Sequence, residues 1–143
     1  ESNNLSIKAT SGASVPNLEN GYIIDHNFDS VYIEPHGFLD KRIEKRRIDI
    51  VITPVIDFSL PLAGKFINGK TVLPELLKLF NPSTVLTSTT GGEIVFTGII
   101  NKLIKVDGSV DDIKLYEDTS TKLINPIPLE EYVFKQDKIN KAQ

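Results

Sequence analysis

The 143-residue chain contains no cysteine, no methionine and no tryptophan, and its only histidines are His26 and His36. Without cysteine there can be no disulfides, thiolate zinc sites, thiol nucleophiles or iron–sulfur clusters. With two imidazoles, a catalyst that relies on several histidines cannot be built from this chain alone. Methionine is missing even at position 1, which leads to the expectation of a processed or excised chain whose ends are not those of the gene product. Long apolar runs are also lacking. No stretch approaches the roughly 18 uninterrupted apolar residues of a membrane-spanning helix, and the opening ESNNLSIKAT has neither the basic nor the apolar part of a secretory signal. The expected setting is intracellular, in the cytoplasm or a plastid-like organelle, with no membrane partner. Nor does one sign of charge dominate. Sixteen basic against nineteen acidic side chains give a net charge of -3, so no overall field recruits nucleic acid or anionic lipid, and any such binding must be local.

What is present has globular proportions: 40% hydrophobic and 24% charged residues. There is no internal repeat and no Pro/Gly/Ser-rich linker between two cores. One α/β domain is expected over residues 1–134, followed by a flexible tail, 135–143, whose KQDKINKAQ sequence has no periodic apolar face. Short β-branched runs predict strands at 5–9, 22–24 and 30–33, with DHNFD (25–29) as the hairpin turn between the last two. IDIVIT (48–53), nearly continuous in Ile and Val and closed by Pro54, predicts a central strand buried on both faces. The period then changes. Leu73, Leu76, Leu77 and Phe80 have the spacing of one helix face, with Thr71 as candidate N-cap, Pro74 in the first turn and Asn81-Pro82 as the stop. A strand is expected at 84–86, a helix through Phe96, Ile99, Ile100 and Leu103, a capped helix from Ser109 to about Tyr116, and closing strands at 122–125 and 131–134. Strands alternating with helices predict a mixed β-sheet with helices on its outer face.

The order of these segments resembles the second half of the metallo-β-lactamase fold. ENGYII (19–24) is similar to that family's Asn-Gly-Tyr strand, and SVYIEPHG (30–37) to the strand that usually ends in Gly-Asp-Thr. IDIVITPVID (48–57) is similar to the strand beneath the site, PELLKLFNPSTVLTSTTGG (74–92) to the helix, Asn-Pro turn and strand that deliver the last His ligand, and NPIPLEEYVF (125–134) to the closing strands. One hydrolase-like branch of the family carries a Tyr-x-Glu-Pro-His-Gly string, as at 32–37 here. The resemblance implies half of an αββα sandwich, and a chemistry in which paired zinc ions hold an attacking hydroxide.

Its ligands, taken position by position, depart from the family. The His-x-His-x-Asp-His set of the first half is absent, so zinc is expected only with a missing N-terminal half. Where a His usually precedes the Asn-Gly-Tyr strand, the chain has Thr10, Ser11, Gly12 and Ala13. Where the bridging Asp is usual it has Glu34-Pro35-His36, and where the final His is usual it has Thr87, Ser88 and Thr89. Glu34 and His36 are therefore the metal candidates, since i, i+2 side chains share one face of a strand. His26, beside Asp25 and Asp29, reads as a solvated turn residue.

Two other segments carry weaker signals. DKRIEKRR (40–47) holds five basic and two acidic residues. Lys41, Arg42, Lys45, Arg46 and Arg47 could bind phosphate or nucleic acid, but without interleaved aromatics a solvated segment is the favoured reading. Thr89-Thr90-Gly91-Gly92 could cradle an anion through backbone N–H groups, yet it lacks a phosphate-loop Lys and reads as a turn. No catalytic residues are assigned. Three functions follow: a fragment of a hydrolase-like protein, a metal-free scaffold or interaction module of the same fold, or an anion-binding domain. An open sheet face predicts association, either with the missing N-terminal half or as a homo-oligomer.

Overall fold

The computed structural model describes residues 4–12, 19–27, 29–61, 64–89, 105–108 and 120–134. Nine strands and one helix lie in these residues: β1 (Leu5–Ser11), β2 (Asn20–His26), β3 (Asp29–Ile33), β4 (Ile50–Thr53), β5 (Asp57–Leu60), β6 (Gly64–Asn68), α1 (Gly69–Phe80), β7 (Thr84–Thr87), β8 (Lys105–Asp107) and β9 (Lys122–Ile124). They form two sheets, ordered β1-β2-β3-β4-β7-β9 and β6-β5-β8. In the large sheet β1, β2 and β3 run antiparallel, and β3, β4, β7 and β9 run parallel. The expected mixed α/β sheet is present. The small antiparallel sheet was not foreseen, because 57–60 and 64–68 are too short and too polar to stand out by alternation.

Side chains alternate across the large sheet, and the two resulting faces meet different fates. One register row runs Ile23, Tyr32, Val51, Val85 and Leu123. The first four of these are buried, together with Leu73, Leu76 and Phe80 of α1. Helix spacing accounts for this: the three helix residues fall on one stripe, and the stripe lies over the row. Phe80 meets Tyr32 with ring centroids 4.9 Å apart at a tilt of 51°, a favourable edge-inclined aromatic geometry. The opposite row carries Ile24, Val31, Ile33, Ile50, Ile52, Leu86 and Ile124, all partly exposed, and continues into exposed Leu5, Ile7 and Tyr22. Thr84 and Lys122 interrupt that face, which is otherwise apolar and incompletely covered.

Several boundaries differ from the sequence reading. The strand expected at 48–53 starts at Ile50; Ile48 is buried outside the ladder, its N–H donating to the Phe80 carbonyl at the helix end. Thr71 is not the N-cap. The helix begins two residues earlier, and Asn68 at the cap position makes no side-chain bond to it. Asp57 on β5 supplies that function from outside, accepting from both the Thr71 N–H (3.1 Å) and the Thr71 hydroxyl. Pro74 consequently lies in the second turn rather than the first. The stop is as expected: Asn81 takes the left-handed conformation with φ 44° and donates to the Leu77 carbonyl. Residues 131–134 are not a strand. Lys122–Ile124 alone extends the sheet, and Pro126 and Pro128 cannot donate to a further ladder. The hairpin turn is narrower than expected: Asn27 takes φ 55° and His26 pairs with Asp29, so His26 is a strand residue rather than a turn residue. The helices expected around 96–103 and 109–116, the tail, and the Gly91-Gly92 pair lie outside the described residues.

Two glycines mark where three segments crowd together. A Cβ on Gly69 would lie 2.2 Å from the Pro54 carbonyl oxygen, and one on Gly37, at φ 69°, would lie 2.4 Å from the Gly69 nitrogen. Backbone bonds follow the same path, Gly69 N–H to Ile56 and Asn68 N–H to His36, each 2.9 Å. Replacing glycine by alanine in a helix ordinarily stabilises by up to about 1 kcal/mol. Here the sign should reverse: Gly69→Ala is expected to destabilise by about 2 kcal/mol or more through overpacking, read as a lowered urea midpoint with an unchanged m-value. A neutral or stabilised variant would refute the close approach.

Candidate functional site

At the carboxyl ends of the parallel strands, two residues beyond the apolar row on the helix-covered face, the sheet changes character. Thr10 pairs with Gly21, and Thr53 with Thr87. Glu34 lies between them: its N–H donates to the Ile52 carbonyl at 3.0 Å, one step past the β3–β4 ladder. A Cβ on Gly21 would lie 2.7 Å from Thr10 Oγ1 and 3.2 Å from Glu34 Cγ. The Thr87 hydroxyl donates to Asn125 Oδ1 at 3.2 Å. The result is a polar row, Thr10, Gly21, Glu34, Thr53, Thr87 and Asn125, at the edge where open α/β sheets commonly receive ligands. Thr10, Glu34, Thr53 and Thr87 are all buried.

Glu34 is the hub of this row. Its Oε2 accepts the N–H of His36 (3.0 Å) and of Phe38 (2.6 Å), while the Tyr32 hydroxyl donates to the Phe38 carbonyl at 3.2 Å. The carboxyl group thus fastens the 34–38 turn onto the end of β3. Its other oxygen, Oε1, is buried without a hydrogen-bond partner, and so are the hydroxyls of Thr10 and Thr53. Such groups are uncommon in folded proteins and concentrate where strain or chemistry is stored. Burial pushes the Glu34 carboxyl above its ordinary range, against the opposing backbone N–H bonds from Phe38 and His36 and the His36 charge. Burial likewise pushes the Tyr32 hydroxyl far up, with the Glu34 charge adding to it.

The two metal candidates are close in sequence but do not share a strand face as expected. The β3 ladder ends at Ile33, and Pro35 and His36 form a turn. Proline has no N–H to continue the ladder, which is why the strand stops there. His36 is partly exposed, and its Nδ1 lies 2.8 Å from Glu19 Oε2 without the alignment of a hydrogen bond. Among the described residues no group of three His, Cys, Asp or Glu side chains is placed to hold a metal ion. Since Glu34 Oε2 is already engaged by two backbone donors and the neighbouring oxygens are hydroxyls, the row does not fit zinc, which favours thiolate, imidazole and carboxylate donors. The arrangement can hydrogen-bond a small polar group. It provides no activated nucleophile, because neither threonine has a base within hydrogen-bond reach among the described residues.

The basic run is largely neutralised. Lys41 pairs with Glu75, Arg42 with Asp40, Arg46 with Asp25 and Arg47 with Asp49. Of the five cations only Lys45 makes no ion pair with a described residue. Arg42 and the Ser11 N–H both bind the buried Asp40 carboxylate, and the guanidinium, with that N–H in support, holds this carboxyl well below the usual range. The neighbouring carboxylates offset most of the run's positive charge, which lowers its attraction for phosphate. His26 is exposed, its Nε2 3.3 Å from Asn27 Nδ2.

Glu34 was legible as a candidate, but Thr53 beside it and Asn125 at the far end of the row were not. No local signal marks them, since register alone sets them in the row. The pH dependence of stability can test the row. An acid whose pKa rises on folding holds its proton more tightly in the native state, so stability falls as pH climbs from about 4.3 through the raised value. Glu34→Gln cannot ionise. Its stability relative to the unsubstituted chain should therefore rise with pH across that window in urea titrations, and a pH-independent difference would sink the assignment. Asp40→Asn should slope the other way: the Asp40 contribution is complete above about pH 3.9 and lost progressively as pH falls below it.

With this geometry in view, comparison with protein families, with curated proteins and with solved structures finds no match to the chain.

Proposed function

We propose that this chain is one layer of a metallo-β-lactamase-like sandwich that works as a metal-free docking layer rather than as a catalyst. The observation that carries the reading is the large sheet's second face. It is mostly apolar from Leu5 to Ile124, interrupted by Thr84 and Lys122, and only partly covered, whereas α1 buries the centre of the first face. A soluble domain seldom leaves so continuous an apolar surface without a binding role. The occupant is a second β layer, the counterpart of the first half of such a sandwich, because face-to-face sheets bury side chains of this kind about 10 Å apart.

The ligand positions support the same reading. The three places where the family resemblance locates ligands, at Thr10, Glu34 and Thr87, belong to one register row. They carry two hydroxyls and a carboxyl fastened to its own turn. That is a family-like edge from which the zinc donors have been replaced. The anion-binding alternative loses support from the ion pairs of Lys41, Arg42, Arg46 and Arg47.

The native chain is expected to bind the apolar dye ANS, and Ile33→Lys with Ile52→Lys should reduce that signal severalfold while cooperative unfolding persists. Zinc titrated by calorimetry should bind no more tightly to this chain than to its Glu34→Gln/His36→Ala variant. A native chain that ignores the dye would overturn the docking reading. Zinc uptake and ester hydrolysis that both depend on Glu34 and His36 would instead favour the hydrolase.

A further inference from the structure

The two edges of the large sheet are treated differently. β9 is a three-residue strand, too short to template another chain. β1 is seven residues long, pairs without a bulge along its whole length, contains no proline, and meets no described strand on its outer side. Of the protections natural edge strands usually carry, β1 has only one charged side chain, Lys8. Backbone parity shows which groups lie on the outer edge. Gly12 N–H donates to the Glu19 carbonyl and Asn27 N–H to the Asn4 carbonyl, so even-numbered β1 residues bond inward to β2. Hydrogen-bonded pairs alternate in an antiparallel ladder, so Leu5, Ile7, Ala9 and Ser11 present their N–H and C=O groups outward. Ser11 agrees with this parity, because its N–H is taken by Asp40 Oδ2 at 3.0 Å while Arg42 binds its hydroxyl. The edge is closed at that end and open from Leu5 to Ala9.

We propose that this open edge is a homodimer interface, in which β1 of one copy pairs antiparallel with β1 of a second copy about a two-fold axis at Ile7. Three features select that occupant and that register. First, the outward groups are self-complementary: Ile7 faces Ile7 and Leu5 faces Ala9 of the other copy, so three pairs exchange backbone bonds and the closed Ser11 end is avoided. Second, Leu5 and Ile7 are 62% and 61% exposed on one face, and this register buries both across the axis. Third, the charges fit. Ser6 faces Lys8 of the other copy, so no like charges meet across the axis. An axis at Lys8 would instead oppose two ammonium groups. Leu5 and Ile7 also lie at the β1 end of the partly covered face, but the backbone pairing uses only the β1 edge and does not depend on what covers the rest of that face.

Because the chain has no cysteine, single cysteines read the register directly. Under mild oxidation Ile7→Cys should form a disulfide-linked dimer, whereas Leu5→Cys, displaced along the strand from its own copy, should not. By sedimentation the unsubstituted chain should associate reversibly. Ile7→Pro removes only an outward N–H that the monomer does not use, so it should weaken association at least about tenfold with the unfolding midpoint nearly unchanged. Ile33→Lys, on the open face, should leave the Ile7→Cys cross-link intact, so the failure of this interface and the failure of the face-docking reading remain distinguishable. A chain that stays monomeric at high concentration, or equal cross-linking through positions 5 and 7, would overturn the proposal.

Discussion

A single helix stripe can cover only one face of a sheet, and this constraint organises the described part of the chain. Leu73, Leu76 and Phe80 lie over Ile23, Tyr32, Val51 and Val85, and most of the fully buried apolar side chains belong to that contact. Burial at roughly 25 cal/mol per Å² of apolar surface makes this the dominant favourable term. It also commits the strands' alternate residues to the other side, where no described helix lies. The open face is thus a direct consequence of how the core is built, and not a separate feature of the sequence.

The same contact sets the position of the polar row. Each parallel strand that contributes a buried apolar residue to the stripe contributes, two residues later, a side chain just beyond the helix's cover on the same face. Tyr32 leads to Glu34, Val51 to Thr53, and Val85 to Thr87. The 34–38 turn beside this row is held by Glu34 itself and by the close passage of Gly37 against the start of α1. Glu34 is therefore a structural clasp whose second oxygen is left unsatisfied. Its environment resists ionisation, and a group in that state suits hydrogen bonding better than zinc ligation.

The amino ends of the strands are organised by a different device. The Ser30 hydroxyl and N–H both donate to Asp49 Oδ2, and the Asp49 carbonyl accepts from Ser83 and Thr84. One side chain and its own backbone thus tie β3, β4 and β7 together at that end. The polarity of the sheet follows, with one end tied by Asp49 and the opposite end retaining the unpartnered hydroxyls of Thr10 and Thr53. Charged loops add a further layer. Asp40 and Asp57, both buried, anchor the 40–43 segment to β1 and the helix start to β5, respectively.

Amphipathic periodicity was enough to reveal α1, and β-branched runs were enough to reveal β2, β3, β4 and β7, because those patterns record which residues avoid water. Composition alone excluded thiol chemistry and multi-histidine catalysis. Register and close approach lay beyond it. Whether Thr53 stands beside Glu34, whether Asp57 caps a helix fourteen residues away, and whether a basic run is free or paired all depend on which strands become neighbours. That choice is made by the packing of distant segments, and it leaves no periodic trace in the local sequence. The chain's residue types thus delimited the chemistry it can perform, while tertiary contact alone determined which polar groups were left unpartnered and which apolar face and edge were left open.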